Sequence, residues 1–285
     1  PLSAPYADIV TIIEGVNKYT GSLTATGDVP AEQLNIIAKG TTGKVTATLD
    51  PATTTINAAT VTALKDVKTT DDIAFESSAE VLNSVEAFNA LLAINKIISN
   101  ANFTAVATIT AAAADVALVK EVLKHVKATV AVTINGEISA ADASAIAQDS
   151  VLTATIKAGS VAATLKALKD VDADAQANVL TFKSTDKTAD AKALVDLADL
   201  VTEDFSSVLT ITSKAADIGL PGATVIATAL GLVPAGAAVT ITNGTISAAD
   251  AAKISVATDG KVTANTGNLW VYIRSEERRV GKECL

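Results

Sequence analysis

The chain has 285 residues, of which 49% are apolar and 3% aromatic, and its mean hydropathy is +0.39. This composition excludes a disordered chain, since it supplies enough apolar surface for a sizeable core. The net charge of −9 argues against nucleic acid and anionic membrane surfaces as partners, because both attract a basic face. With 56 alanines and 37 threonines, the core must use small and β-branched side chains, which favours thin layers.

Short β-branched segments recur along the chain and predict ten strands. In chain order they are Leu23–Thr26, Val45–Leu49, Ile73–Phe75, Phe103–Ile109, Val130–Ile134, Val151–Ile156, Val179–Phe182, Val208–Thr212, Val239–Thr242 and Val262–Ala264. Ala- and Leu-rich segments between them have helical spacing, namely Ala58–Val67, Val81–Ile98, Asp115–Val126, Val161–Val171 and Ala189–Val201. Because each helix is long enough for a crossover, this alternation predicts an α/β fold with parallel pairing of successive strands.

The longest uncharged run, 218–249, contains two prolines and five threonines. We expect it to divide into a short helix and a strand, so the prediction is no membrane insertion.

Short sequence motifs recur at long range along the chain. Ile138-Ser-Ala-Ala-Asp142 recurs 108 residues later as Ile246-Ser-Ala-Ala-Asp250, and Ala63-Leu-Lys-Asp-Val67 recurs as Ala167-Leu-Lys-Asp-Val171. Ser139 and Ser247 stand where a helix N-cap is expected, with Asp142 and Asp250 at the partner position of a capping box.

These recurring motifs indicate a higher-order repeat, each copy of which contains several of the predicted strands and helices. We expect 1–268 to be one continuous array, with copies near 22–129 and 130–238 and a truncated copy at 239–268. The preferred architecture is a repetitive parallel β/α solenoid of about ten strand–helix coils, gently curved, with no closed barrel. We expect each repeat to pack against the neighbouring repeats of the same chain. Tandem copies of a small four-unit α/β domain are the alternative.

The composition changes abruptly near residue 269. All three arginines, the only tryptophan and the only cysteine lie in the last 16 residues. We therefore expect 269–285 to be a non-native or disordered tail, resembling translated vector or adapter sequence; a genuine basic terminal peptide is the alternative. The absence of methionine indicates a processed chain or a fragment of a longer reading frame.

The segment 239–264 reads Val-Thr-Ile-Thr-x-Gly-x-Ile-Ser-Ala-Ala-Asp and continues to a second Val-Thr-Ala strand. It resembles the repeats of very large cell-surface and secreted proteins of cyanobacteria and other aquatic bacteria. The resemblance implies an extracellular or cell-surface location and a structural role, and it supplies no catalytic residues. The Gly-Gly-x-Gly-x-Asp nonapeptide of calcium-binding repeats is absent from the sequence, so a calcium label is not transferred.

One acidic segment is a weak calcium candidate. Asp170, Asp172 and Asp174 have the spacing that opens an EF-hand loop, but Ala175 and Thr181 replace the required glycine and glutamate. A solvated turn is the preferred interpretation, and no cofactor is predicted. The sequence also contains no recognisable catalytic motif, so no catalytic residue is assigned and the chain is not predicted to be an enzyme.

Thr-x-Thr is the one pattern, recurring along the chain, that suggests a binding surface. Side chains alternate along a strand, so the apolar residue between two threonines is expected to face the core while both threonines face outward. Stacked coils would present these as a ladder, at Thr24, Thr26, Thr46, Thr48, Thr153, Thr155, Thr210, Thr212, Thr240 and Thr242. The preferred interpretation is an ordinary solvent-facing surface, because threonine is a favourable strand residue.

The sequence therefore predicts a non-enzymatic structural segment of a large secreted or cell-surface protein, acting as a spacer, fibre or surface layer. The alternative is an adhesin-like binding module whose threonine face engages a cell-surface glycan, ice or another ordered surface.

Overall fold

The computed structural model describes residues 1–16, 18–171, 178–218, 224–267 and 270–273. Within these residues the strands are β1 (Leu2–Pro5), β2 (Leu23–Val29), β3 (Val45–Leu49), β4 (Asp72–Glu76), β5 (Val81–Leu82), β6 (Ala101–Asn102), β7 (Thr108–Ala112), β8 (Ala131–Ile138), β9 (Val151–Gly159), β10 (Val179–Ser184), β11 (Thr188–Asp190), β12 (Thr202–Asp204), β13 (Thr210–Lys214), β14 (Ala238–Asn243), β15 (Val262–Asn265) and β16 (Trp270–Ile273).

The helices connect these strands. They are α1 (Tyr6–Glu14), α2 (Ala31–Gly40), α3 (Ala58–Ala63), α4 (Val85–Ile97), α5 (Val116–Leu123), α6 (Ala140–Ala147), α7 (Val161–Ala167), α8 (Ala191–Ala198), α9 (Thr224–Leu232) and α10 (Ala248–Ala257). Two 3-10 turns, Ala113–Asp115 and Ala215–Asp217, follow β7 and β13. The uncharged run 218–249 contains α9 and β14, as predicted, and no helix in the described part of the chain is long and apolar enough to span a membrane.

The fold is α/β, as the alternating pattern predicts. The strands form three sheets, none of which closes into a barrel in the described residues. Pairing is parallel where its register is defined, except that β16 runs antiparallel to β15. Parallel pairing follows from the intervening helices, since each returns the chain to the same end of the sheet.

The chain contains two compact units. In the first (Pro1–Gly136 and Ala145–Thr153), one sheet has the order β1-β2-β3-β4-β6, and β5, β7 and β8 lie side by side. Helices α1 to α5 follow one another, each in contact with the next.

The second unit comprises Glu137–Ser144 and Ala154–Leu285. Its five-stranded sheet has the order β11-β13-β14-β15-β16, and β9, β10 and β12 lie side by side. Helices α7 to α10 again contact one another in chain order. The four residues of β16 are the described part of the 269–285 tail; the rest of that tail lies outside the described residues.

Two predicted elements end at polar turns that the periodicity did not show. The predicted helix 81–98 begins as β5, and α4 starts only after Ser84, whose hydroxyl oxygen accepts from the Ala87 N–H at 3.1 Å. Only the last two residues of the predicted strand 103–109 belong to a strand, β7, because a turn follows β6, in which the Asn102 Oδ1 accepts from both the N–H and the hydroxyl of Thr104. Such side-chain hydrogen bonds compete with regular backbone pairing.

Both predicted serine N-caps are confirmed, and in each the aspartate three residues later bonds the serine hydroxyl. The Ser139 hydroxyl accepts from the Asp142 N–H and donates to the Asp142 carboxylate. Ser247 and Asp250 make the same two hydrogen bonds at the start of α10. Each cap satisfies an amide that the first turn of a helix leaves without a partner.

Several structural details occur more than once, about 100 residues apart. Phe75 packs edge-to-face on Phe103 with ring centroids 5.7 Å apart, and Phe182 packs on Phe205 in the same manner at 6.4 Å. The second pair follows the first by 107 and 102 residues. All four rings are buried, so the same aromatic contact occurs in the core of each unit.

Glycines with positive φ also recur. Gly27, Gly136 and Gly244 have φ of +82°, +100° and +87° and follow one another at intervals of 109 and 108 residues. A Cβ at Gly136 would lie 3.3 Å from Ala113 Cβ, and one at Gly244 would lie 2.8 Å from Ala215 Cβ. Positive φ favours glycine at each of the three positions.

A Thr-x-Gly turn occurs in both units. The Thr41 hydroxyl donates to the Gly21 carbonyl at 2.8 Å and accepts from the Gly43 N–H at 3.0 Å. Thr258 donates to the Ala237 carbonyl at 2.7 Å and accepts from the Gly260 N–H at 2.9 Å. In each case a buried hydroxyl joins two chain segments at least 20 residues apart.

Candidate functional site

The candidate site is the face of the sheets that the helices leave open. The residue between the two threonines of each Thr-x-Thr pair is buried, as at Ala25, Ala47, Ala154, Ile211 and Ile241, while the ten candidate threonines are half-buried or exposed. Parallel sheets are usually covered on both faces. An open face lined by threonine is therefore the unusual surface of this protein.

In the β1-β2-β3-β4-β6 sheet of the first unit the threonine row is short. Thr24 lies opposite Thr46, and the same row continues to Ser3 on one side and Asp72 on the other. Beyond this row the register shifts, and Thr48 lies opposite Asp28. Thr26 pairs instead with Pro5 of β1.

The register shift has a backbone cause. Gly27 follows Thr26 with φ +82°, and a residue with positive φ inserted in one strand produces a β-bulge. Between the paired positions β2 has three residues, Ala25 to Gly27, where β3 has only Ala47, so Thr26 and Thr48 do not form a second row.

One row of the second unit contains three threonines. Thr212 lies opposite Thr240, which lies opposite Thr263, and Asp190 precedes them on β11. The preceding row contains Thr188, Thr210 and Ala238. Thr242 lies at the register shift after Ser213, and its hydroxyl donates to the Ser213 carbonyl at 3.3 Å.

The remaining candidates lie on β9. Thr153 is exposed, and Thr155 is joined to Thr181 by a hydrogen bond of 3.0 Å between hydroxyls. Thr181 lies in turn opposite Thr202. Hydroxyls in neighbouring strands can therefore satisfy one another without a ligand.

Sequence reasoning missed several threonines in these rows. Thr181, Thr188, Thr202 and Thr263 belong to strands with a single threonine at the relevant position, so a search for Thr-x-Thr passes over them. A search for one polar residue between two buried apolar positions would have found Thr181, in Leu180-Thr-Phe182.

Only one residue of the calcium candidate, Asp170, lies in the described part of the chain. Asp170 is exposed and its carboxylate lies 3.6 Å from the Lys169 ammonium, whereas Asp172 and Asp174 lie outside the described residues. Among the residues with described structure, no group of three or more His, Cys, Asp or Glu side chains could hold a metal ion.

Perturbed carboxylates lie on the surface. The side chain and backbone of Ser206 hydrogen-bond Asp204 and, with Lys183, lower its pKa to about 2. Hydrogen bonding to Lys124 lowers the pKa of Glu121. Both pKa shifts follow from local hydrogen bonds and ion pairs of an exposed helix or turn. Each such exposed interaction contributes little to the free energy of unfolding.

A groove of about 570 Å³ lies between α3 and α4. Val61, Val85, Ala90 and Ala93 supply most of its apolar wall, and Glu86 and Asn89 lie at its polar side. The groove exists because small side chains face each other across two helices. It contains none of the threonine rows.

Comparison with known proteins gives no relative. No family model, no curated protein and no solved structure matches the chain.

Proposed function

We propose that the chain is a non-enzymatic structural segment of a large secreted or cell-surface protein, built as a repetitive β/α solenoid with coils stacked along 1–268. The observation that carries this proposal is the recurrence of matching structural details. The aromatic pair, the positive-φ glycine and the Thr-x-Gly turn each occur in more than one place.

These details support a repeat because each is demanding on its own. A buried edge-to-face pair requires two aromatic residues in a chain that has five phenylalanines, and four of the five form the two pairs. Both pairs connect corresponding strands: Phe75 and Phe182 lie in β4 and β10, and Phe103 and Phe205 immediately follow β6 and β12.

The contacts within each unit also suit a spacer. Consecutive helices contact one another, and strands pair mainly with the next or next-but-one strand of the chain. Such nearest-neighbour packing is the defining property of solenoid proteins, which lengthen by adding coils. The extracellular location rests on the resemblance of 239–264 to surface-protein repeats and on the acidic, arginine-poor composition.

Immunoblotting tests this proposal. An antibody raised against residues 1–268 is applied to source cells before and after a protease is added outside the intact cells. We expect a band far above 28.8 kDa that the protease removes while a cytosolic protein is spared. A protected band near the mass of the chain would contradict both the large parent protein and the surface location.

An adhesin-like binding face is the second candidate function, and the open Thr212–Thr240–Thr263 row favours it. The ligands to test are glycans, ice and other ordered surfaces. Glycan-array binding and ice-recrystallisation assays on the full chain test it, with Thr240→Tyr to obstruct the row. Val256→Lys is the control, because Val256 lies on α10 and is 69% exposed. Binding that survives Thr240→Tyr, or absence of binding in both assays, excludes this candidate.

A further inference from the structure

Two Asn-Gly dipeptides lie 108 residues apart, and Asn243-Gly244 directly follows the register shift of β14. Asn135-Gly136 lies in β8 and Asn243-Gly244 lies at the end of β14, and all four residues are exposed. Both glycines have positive φ. The positive-φ glycine of β2, Gly27, follows Thr26 instead, which shows that this backbone conformation does not require a preceding asparagine.

We propose that Asn243 is a modification site at which the asparagine converts spontaneously to aspartate and isoaspartate, and that Lys214 accelerates the conversion. The Gly244 backbone nitrogen attacks Asn243 Cγ and loses its proton to water, and the side-chain nitrogen leaves as ammonia. A five-membered succinimide results. Water then adds to either of its two carbonyls, opening the ring to aspartate or to isoaspartate.

The structure leaves the attacking nitrogen accessible. Strand β14 ends at Asn243, and among the described groups none accepts a hydrogen bond from the Gly244 N–H. Glycine also has no side chain to obstruct the approach. The fold retains this glycine, because a Cβ at 244 would lie 2.8 Å from Ala215 Cβ. The reactive dipeptide is thus held in place by the packing of the 3-10 turn.

Lys214 supplies a favourable charge. It lies directly opposite Asn243 on the adjacent strand and is exposed, as Asn243 is. Adjacent strands are about 5 Å apart, so the ammonium stabilises negative charge as the amide nitrogen loses its proton. It also stabilises the carboxylate of the product.

Asn135 is the matched internal control. Its dipeptide is identical, but β8 continues beyond Gly136 to Ile138, so the glycine lies inside a strand. The residue opposite Asn135 is the neutral Ala112. In the folded chain, Asn243 is therefore converted faster than Asn135.

Peptide mapping by mass spectrometry tests the proposal. The full chain is incubated at mildly alkaline pH, folded or in concentrated urea, and fragmentation that distinguishes isoaspartate from aspartate follows each site. We expect conversion at Asn243 to be several-fold faster than at Asn135 in the folded chain, and the two rates to converge in urea. Equal rates in the folded chain, or a faster Asn135, would overturn the structural assignment.

Two variants complete the design. Lys214→Gln should slow Asn243 conversion several-fold in the folded chain and leave Asn135 unchanged; an unchanged Asn243 rate would overturn the role of Lys214. Asn243→Thr reproduces the Thr-Gly pair of the first bulge and should remove the signal with an unchanged circular dichroism spectrum. A signal that persists in Asn243→Thr would contradict the assignment of the site.

Discussion

Replacing Gly43 by alanine should destabilise the protein strongly, because the Thr-x-Gly turn leaves no room for a side chain. A Cβ at Gly43 would lie 2.2 Å from the Gly21 carbonyl oxygen and 2.4 Å from its carbon. Reaching an ordinary contact of 3.4 Å requires a separation of about 1 Å between two backbone segments. Neither segment is a flexible side chain, so the strain falls on the paired strands.

The expected loss of unfolding free energy combines the cost of overpacking with the cost of breaking hydrogen bonds of the Thr41 hydroxyl. Overpacking of a well-packed site costs about 1–3 kcal/mol, and each Thr41 hydrogen bond displaced costs about 1 kcal/mol more. The loss of unfolded-state entropy on Gly→Ala returns about 0.5 kcal/mol. We therefore expect Gly43→Ala to lower the free energy of unfolding by about 3 kcal/mol.

Equilibrium unfolding in urea, followed by far-UV circular dichroism, measures this change. Gly260→Ala should cost a similar amount, since its Cβ would lie 2.3 Å from the Ala237 carbonyl oxygen. Gly231→Ala in α9 is the control, because nothing lies within 4 Å of its added Cβ; it should stabilise the protein by about 0.5–1 kcal/mol. A Gly43→Ala variant within about 0.5 kcal/mol of the parent chain would refute the steric argument.

Three further predictions follow from local geometry. Gly27→Ala should cost about 1 kcal/mol from its positive φ alone, whereas Gly244→Ala should cost more because its Cβ also meets a neighbour at 2.8 Å; urea midpoints rank the two, and equal costs would contradict the contact. Ser84→Ala should lower the free energy of unfolding by about 1 kcal/mol through loss of the α4 cap, and no change would contradict a capping role. Asp204 has a lowered pKa, so the stabilisation its carboxylate provides is present above its unfolded pKa of about 3.9 and is lost as pH falls towards about 2; a carboxyl NMR titration with a midpoint near 4 would contradict the Ser206 hydrogen bonds.

The α/β class could be predicted because hydrophobic periodicity reports which side of each element is buried. Strands such as β3 have buried residues at alternate positions, and the sequence Val-Thr-Ala-Thr-Leu shows this directly. The serine N-caps could be predicted as well, since their hydrogen bonds join residues only three positions apart.

Register could not be predicted with the same precision. The bulge at Gly27 separates Thr26 from Thr48, and only the pairing of two strands reveals that shift. The short strands β5, β6, β11 and β12 contain two or three residues each, too few for any alternation to appear. The threonine face was therefore predicted as a surface, while its division into rows came from the structure.

If the chain folds as stacked repeats, a truncation at a repeat boundary should leave the remaining repeats folded. Urea unfolding is compared between a chain beginning at residue 130 and a control beginning at 136, which lacks five of the eight residues of β8. Nearest-neighbour packing predicts that the 130–285 chain remains cooperatively folded, with less total stability than the parent, and that the control is less stable than the boundary truncation. A 130–285 chain that is unfolded in the absence of urea would contradict the repeat architecture.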